Sequence, residues 1–81
     1  MYIFCKDRKT IVNDANVFQF LIKYDAPFSV VASCPDEFII VGKYKTEKEA
    51  RVALFGIFAA KQVGKKCYMM PIEIELSEGE G

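Results

Sequence analysis

Cys5, Cys34 and Cys67 are the only thiols in this chain, and it has no histidine. A thiol becomes a nucleophile when a neighbouring base or cation draws off its proton. Lys6 follows Cys5 directly, but adjacent residues on a strand point to opposite faces. Three widely spaced cysteines without a C-x-x-C and without histidine do not make a zinc pattern. They read instead as reduced thiols acting as small apolar side chains. The acidic pairs are equally uninformative. Asp36-Glu37 belongs to a turn, and Glu47 with Glu49 suits the first turn of a helix, where negative charge favours the dipole. Gly42-Lys43 lacks the spaced glycine and the following hydroxyl residue of a phosphate loop. No catalytic, metal or cofactor site is therefore expected, and the sequence reads as a binder rather than an enzyme.

Basic residues form the one remaining chemical pattern. Lys6, Arg8 and Lys9 cluster in one turn, Lys43, Lys45 and Lys48 in a second, and Lys61, Lys65 and Lys66 in a third. Tyr24, Tyr44 and Tyr68 stand near some of them. Basic clusters interleaved with aromatics can follow a phosphate backbone and stack bases. Lys6, Arg8, Lys9, Lys43 and Lys45 are thus the candidate nucleic-acid contacts. The plainer account is a solvated surface that keeps the chain soluble. Formal charge is zero, yet residues 1–72 hold all 11 bases, and four of the 11 acids lie in the last nine residues. A basic body with an acidic end follows.

Eighty-one residues suffice for one small domain, 1–76, followed by an acidic tail, 77–81, expected to fray. Met1 leads into a short apolar run broken by Lys6-Asp7-Arg8-Lys9, which predicts no secretory leader. No stretch reaches the roughly 20 apolar residues of a membrane span. With an odd cysteine count, this predicts a cytoplasmic protein.

The elements follow from local chemistry. Tyr2–Cys5, Thr10–Val12, Val17–Tyr24, Phe28–Cys34 and Phe38–Tyr44 are β-prone runs separated by polar or proline-containing turns. In the third run Phe18, Phe20 and Ile22 share one face. Pro35 suits the first corner of a β-turn, so the fourth and fifth runs read as a hairpin. Cys67–Met70 is a further candidate strand, and Ile72–Leu76 alternates as a half-wet strand should.

The helix is written most clearly. Thr46 and Glu49 make a capping box, with the Thr hydroxyl accepting from the Glu49 N–H and the carboxylate reaching back to the Thr N–H. Gly64 can take the left-handed conformation that closes a helix. Between them, Leu54 centres one apolar stripe with Ala50, Ile57 and Phe58, the expected seat on a sheet. Val52, Phe55, Gly56, Ala59 and Val63 lie on the other side. A small domain has little material to cover a second apolar face, so these five residues are the candidate interface, with Gly56 allowing close approach; the alternative is that strands or the C-terminal segment cover this face within one chain. The implied partner is a second copy or another protein.

Two segments carry a resemblance. The opening MYIFCKDRKTIVNDANVF resembles the start of small hypothetical proteins from Gram-positive bacteria and their phages. Those begin with a strand, a polar turn containing Gln-Asp-Lys, a Leu/Ile-Val pair and Asn. Val41 to Ala50, VGKYKTEKEA, resembles their Leu-Gly-x-Tyr-x-Thr-x-Glu-x-Ala passage into a helix, and Tyr68-Met69-Met70-Pro71 echoes a Y-x-M-P ending. The resemblance covers about half of the chain; Gln19 to Phe38 departs from it. It implies an α+β fold and a bacterial or phage origin, and it brings no activity with it.

The sequence therefore predicts an α+β domain: a small antiparallel sheet of four to six strands with one helix packed on a face. It predicts a non-enzymatic protein-interaction module, a phage accessory or inhibitor protein being one form of that, without cofactor and dimeric or bound to a protein. The alternative is a small nucleic-acid-binding or regulatory protein.

Overall fold

The structure, a computed structural model, describes residues 1–24 and 27–72. The expected strand through Leu76 and the acidic tail lie outside the described residues beyond Ile72.

Among the described residues six strands and one α-helix follow in the order β1 (Tyr2–Phe4), β2 (Ile11–Asn13), β3 (Gln19–Lys23), β4 (Phe28–Ser33), β5 (Phe38–Tyr44), α1 (Glu47–Gln62) and β6 (Cys67–Met69). A 3-10 turn at Asp14–Asn16 links β2 to β3, capped by Asn13, whose side-chain oxygen accepts from the Ala15 N–H at 3.0 Å. The fold is α+β, as expected, with the helix as its one α-helix among the described residues. The strands make two three-stranded sheets, β2-β1-β6 and β3-β4-β5, rather than one. The β1·β6 pair is parallel, which corrects the all-antiparallel expectation. Antiparallel neighbours can be joined by a tight turn, but β6 reaches β1 only after the whole of the intervening chain.

A bulge joins the two sheets. In β5 the register slips between Val30 and Val31 of β4, so that Ile40 faces Val31 and Gly42 faces Val30. Val41 is the extra residue. Its side chain is buried, and its carbonyl accepts from the Lys6 N–H at the end of β1, at 2.7 Å. A residue freed from its own ladder is thus used to pin the other sheet.

The core lies between α1, the inner face of β3-β4-β5 and the strand pair β1·β6. It gathers Ile3, Cys5, Val12, Val30, Ala32, Val41, Tyr44, Ala50, Ala53, Ile57 and Met70. Phe20 and Ile22 pack against it from β3, as strand alternation predicts.

Both helix caps form. The Glu49 N–H donates to Thr46 Oγ1 at 3.2 Å. The Glu49 carboxylate accepts from the Thr46 hydroxyl at 3.1 Å rather than from its backbone N–H, a correction to the reciprocal box. At the other end Gly64 has φ 76°, its N–H donates to Lys61 O, and the Lys65 N–H donates to Ala60 O. That pair of bonds is the Schellman closure, and only the glycine reaches its backbone angle without strain.

The Met1 ammonium and Asp14 form an ion pair at 2.9 Å, nearly closed to water, and Lys61 Nζ stands 3.5 Å from the other carboxylate oxygen. The hydrogen bond from the ammonium holds the Asp14 carboxyl below its ordinary range; burial opposes this, and Lys61 adds to it. A carboxyl whose pKa is lower folded than unfolded contributes stability above about pH 4, lost as pH falls through the folded value. Asp14→Asn is expected to cost about 2 kcal/mol at pH 7. Urea unfolding of parent and variant should give stabilities that converge as pH falls toward 3.

Candidate functional site

The orientation of α1 decides which residues are available. Ala50, Ala53, Ile57 and Ala60 are the buried residues of the helix. Three of the four are alanines, so the helix lies close against the sheet. Ala50 and Ile57 sit in the core as expected, while Leu54 is only half-buried, at the margin of the seat. Phe58 was expected to share that seat and instead is 62% exposed. At 100° per residue it lies beyond Leu54, on the open flank of the helix beside β3. Bulk explains the correction: three small residues fit a close helix–sheet contact that a phenylalanine would hold apart.

The second apolar face is open to solvent at Val52, Phe55, Ala59 and Val63, with Phe55 60% exposed. Gly56 does not belong to it. A Cβ at that position would stand 2.0 Å from the Tyr68 hydroxyl, so the glycine is spent on seating a tyrosine of β6 within the same chain. The helix α1 with its C-cap Val63 therefore presents Val52, Phe55, Ala59 and Val63 outward, with Phe58 in place of Gly56.

Phe18 completes the surface. It stands just ahead of edge strand β3 and is 76% exposed, although its parity on the strand matches the buried side of Phe20. Phe18, Phe20, Leu54, Phe55 and Phe58 line an open groove of about 550 Å³ between β3 and α1. Among the described residues, Gln19 and Lys61 are the polar side chains along it. A small-molecule site fixes its ligand with several convergent polar groups; this groove offers area and shape. At roughly 200 Å² per ring, the three exposed phenylalanines leave about 400 Å² of aromatic surface in water. Patches of that size on small proteins are commonly functional. Sequence reasoning missed Phe18 and Phe58 because both occupy positions whose spacing matches the core.

The basic candidates meet at the other end of the fold. The bond from Lys6 N–H to Val41 brings the first turn to β5. Lys6 Nζ donates to Lys43 O at 2.5 Å and lies 4.4 Å from the centre of the Tyr44 ring. Arg8 is near enough to act electrostatically on Tyr44, and takes a left-handed φ of 62° within its turn. Arg8, Lys9, Lys43 and Lys45 are exposed, so the structure brings the first two clusters together. Lys65 and Lys66 fall at the opposite end of β1, where Lys66 O accepts from the Tyr2 N–H. Tyr44 cannot stack a base: it is 2% exposed, and its hydroxyl donates to Pro71 O at 2.8 Å. Burial pushes its pKa strongly up. Tyr68 is half-buried, with its pKa also raised by burial, and of these three tyrosines Tyr24 alone is well exposed.

The cysteines are free thiols in three environments: Cys5 buried, Cys34 half-buried and Cys67 exposed. Burial, aided by Asp7, pushes the Cys5 thiol up, which makes it a poor nucleophile. Among the described residues no three His, Cys, Asp or Glu side chains gather where they could hold a metal ion. No described helix is long and apolar enough to cross a membrane. Compared with known proteins, the chain matches no family model, no curated protein and no solved structure.

Proposed function

We propose that this chain is a small non-enzymatic protein-interaction module that works through the aromatic face of Phe18, Phe55 and Phe58. One observation carries the reading: the helix buries alanines against its sheet and leaves its phenylalanines in water. Exposing aromatic rings forfeits about 2 kcal/mol each of available burial, which a protein partner would recover. Arg51, paired to Glu47 one turn away, and Lys61 stand on the helix beside this apolar surface, giving it the polar margin common at protein interfaces. The resemblance of the opening and of the passage into the helix is what supports a bacterial or phage origin, and the odd number of cysteines supports action in the cytoplasm. A phage accessory or inhibitor protein suits such a surface.

Binding of nucleic acid has weaker support. The basic turns converge, but the tyrosine at their centre is buried and unavailable for stacking.

Phe55→Glu combined with Phe58→Glu tests the reading. The variant should keep its circular dichroism and its thermal midpoint within about 5 °C, since surface changes rarely exceed about 0.5 kcal/mol. The parent should elute above the size of its 9.2 kDa chain, pure or in bacterial extract, and the variant at that size. A variant that unfolds, or a parent that elutes as the lone chain in both settings, overturns it.

A further inference from the structure

We infer that the acidic segment following Ile72 folds back on its own chain and covers the basic turns that meet around Tyr44, screening them from other anions. Residues 73–81 hold Glu73, Glu75, Glu78 and Glu80 and no base. The described chain hands this segment over at the basic surface. The Tyr44 hydroxyl donates to Pro71 O at 2.8 Å, and Lys6 Nζ lies 4.4 Å from the centre of the same ring. Met69, at the end of β6, lines an open hollow of about 300 Å³ together with Arg8, Lys9 and Ile11. At no more than about 3.5 Å per residue, Glu73 and Glu75 reach about 7 and 14 Å from Pro71, and the Lys6 amine is inside that reach.

Charge and apolar pattern both select this occupant. Among the described residues, Lys6, Arg8, Lys9, Lys43 and Lys45 form no ion pair. Asp7, the acid of the first turn, accepts from the N–H groups of Lys9 and Thr10. The cations outnumber it and leave a positive field. A single exposed ion pair is weak, but glutamates on a short tether meet this field at an effective concentration on the order of a millimolar. Ile72 and Ile74 alternate with Glu73 and Glu75. Beside Arg8 and Lys9 the hollow offers exposed Ile11 and Met69. An extended segment with this alternation sets its apolar side on Ile11 and Met69 and aims its carboxylates at the cations around them. An outside polyanion must displace the segment before it can reach the same groups.

Proteolysis and polyanion binding test this with the full chain. A glutamate-specific protease should cut after Glu73 and Glu75 about tenfold faster in Arg8→Gln/Lys9→Gln than in the parent at about 20 mM salt. The difference should fall below about twofold at about 0.5 M salt, where exposed charges are screened. Equal cutting at low salt overturns the contact. Protection of the parent that grows between about 1 and 100 µM overturns its lying within one chain. For the screening, all four of Glu73, Glu75, Glu78 and Glu80 are changed to Gln. This variant should bind heparin, the probe polyanion, about tenfold more tightly than the parent at the lower salt. Made in the Arg8→Gln/Lys9→Gln background, the same four changes should raise heparin affinity about threefold at most. An equal rise in both backgrounds is general repulsion between acids and polyanion, and overturns the covering of the turn.

Discussion

Ala53→Leu is expected to destabilise the fold by about 3 kcal/mol, whereas Ala59→Leu, six residues along the same helix, is expected to change stability by less than about 0.5 kcal/mol. Ala53 is fully buried, against the inner face of β3-β4-β5, in a core that includes Val30, Ala32 and Val41. Three added carbons there have no space to enter and must push the helix off its sheet. Ala59 lies in water, where the same carbons meet no neighbour within the chain. Denaturant midpoints of the two variants, taken at low concentration so that association does not contribute, check the contrast. Equal losses would mean that the helix is rotated from the orientation described.

Met70→Ala should cost about 3 kcal/mol. Met70 is wholly buried, and its N–H donates to Phe4 O at 2.9 Å, extending the parallel β1·β6 ladder. Its side chain belongs to the same core as Ile3 and Cys5. Truncation removes apolar contact and leaves a cavity bounded by both sheets and the helix, which cannot all relax into it. Unfolding followed by circular dichroism gives the size of the loss. Native alkylation gives a second readout, because Cys5 should remain protected in the parent and become accessible as the variant opens. A loss below about 1 kcal/mol would mean that β6 is an appendage rather than part of the core.

What the sequence disclosed was local. Thr46, Glu49 and Gly64 marked the helix because capping is chemistry between residues three to five apart. The Pro35 turn and the strands around it were legible for the same reason. The inward face of the helix was not, because amphipathic pattern ranks residues by apolarity, and Leu54, Phe55 and Phe58 outrank alanine on that scale. How closely the sheet approaches made the decision, and that distance is set by Val30, Ala32 and Val41, remote in sequence. Gly56 shows the same limit from another side. Its small size correctly signalled a close approach, but the approaching group is Tyr68, twelve residues later. The parallel pairing of β1 with β6 joins opposite ends of the chain, and no local spacing encodes it. Of the candidate surface, Val52, Phe55, Ala59 and Val63 were readable as a second face, whereas Phe18 entered only through the fold.

Ile57 and Phe58 offer the most direct test, because they are adjacent in one helix and one is buried while the other is exposed. Each is replaced by alanine, and unfolding free energies are measured by urea titration at a concentration where the chain is monomeric. Ile57→Ala should cost about 3 kcal/mol and Phe58→Ala less than about 1 kcal/mol. The reverse order, with the larger phenylalanine proving the more costly loss, would put Phe58 in the core and contradict the account of an aromatic face turned outward for a partner.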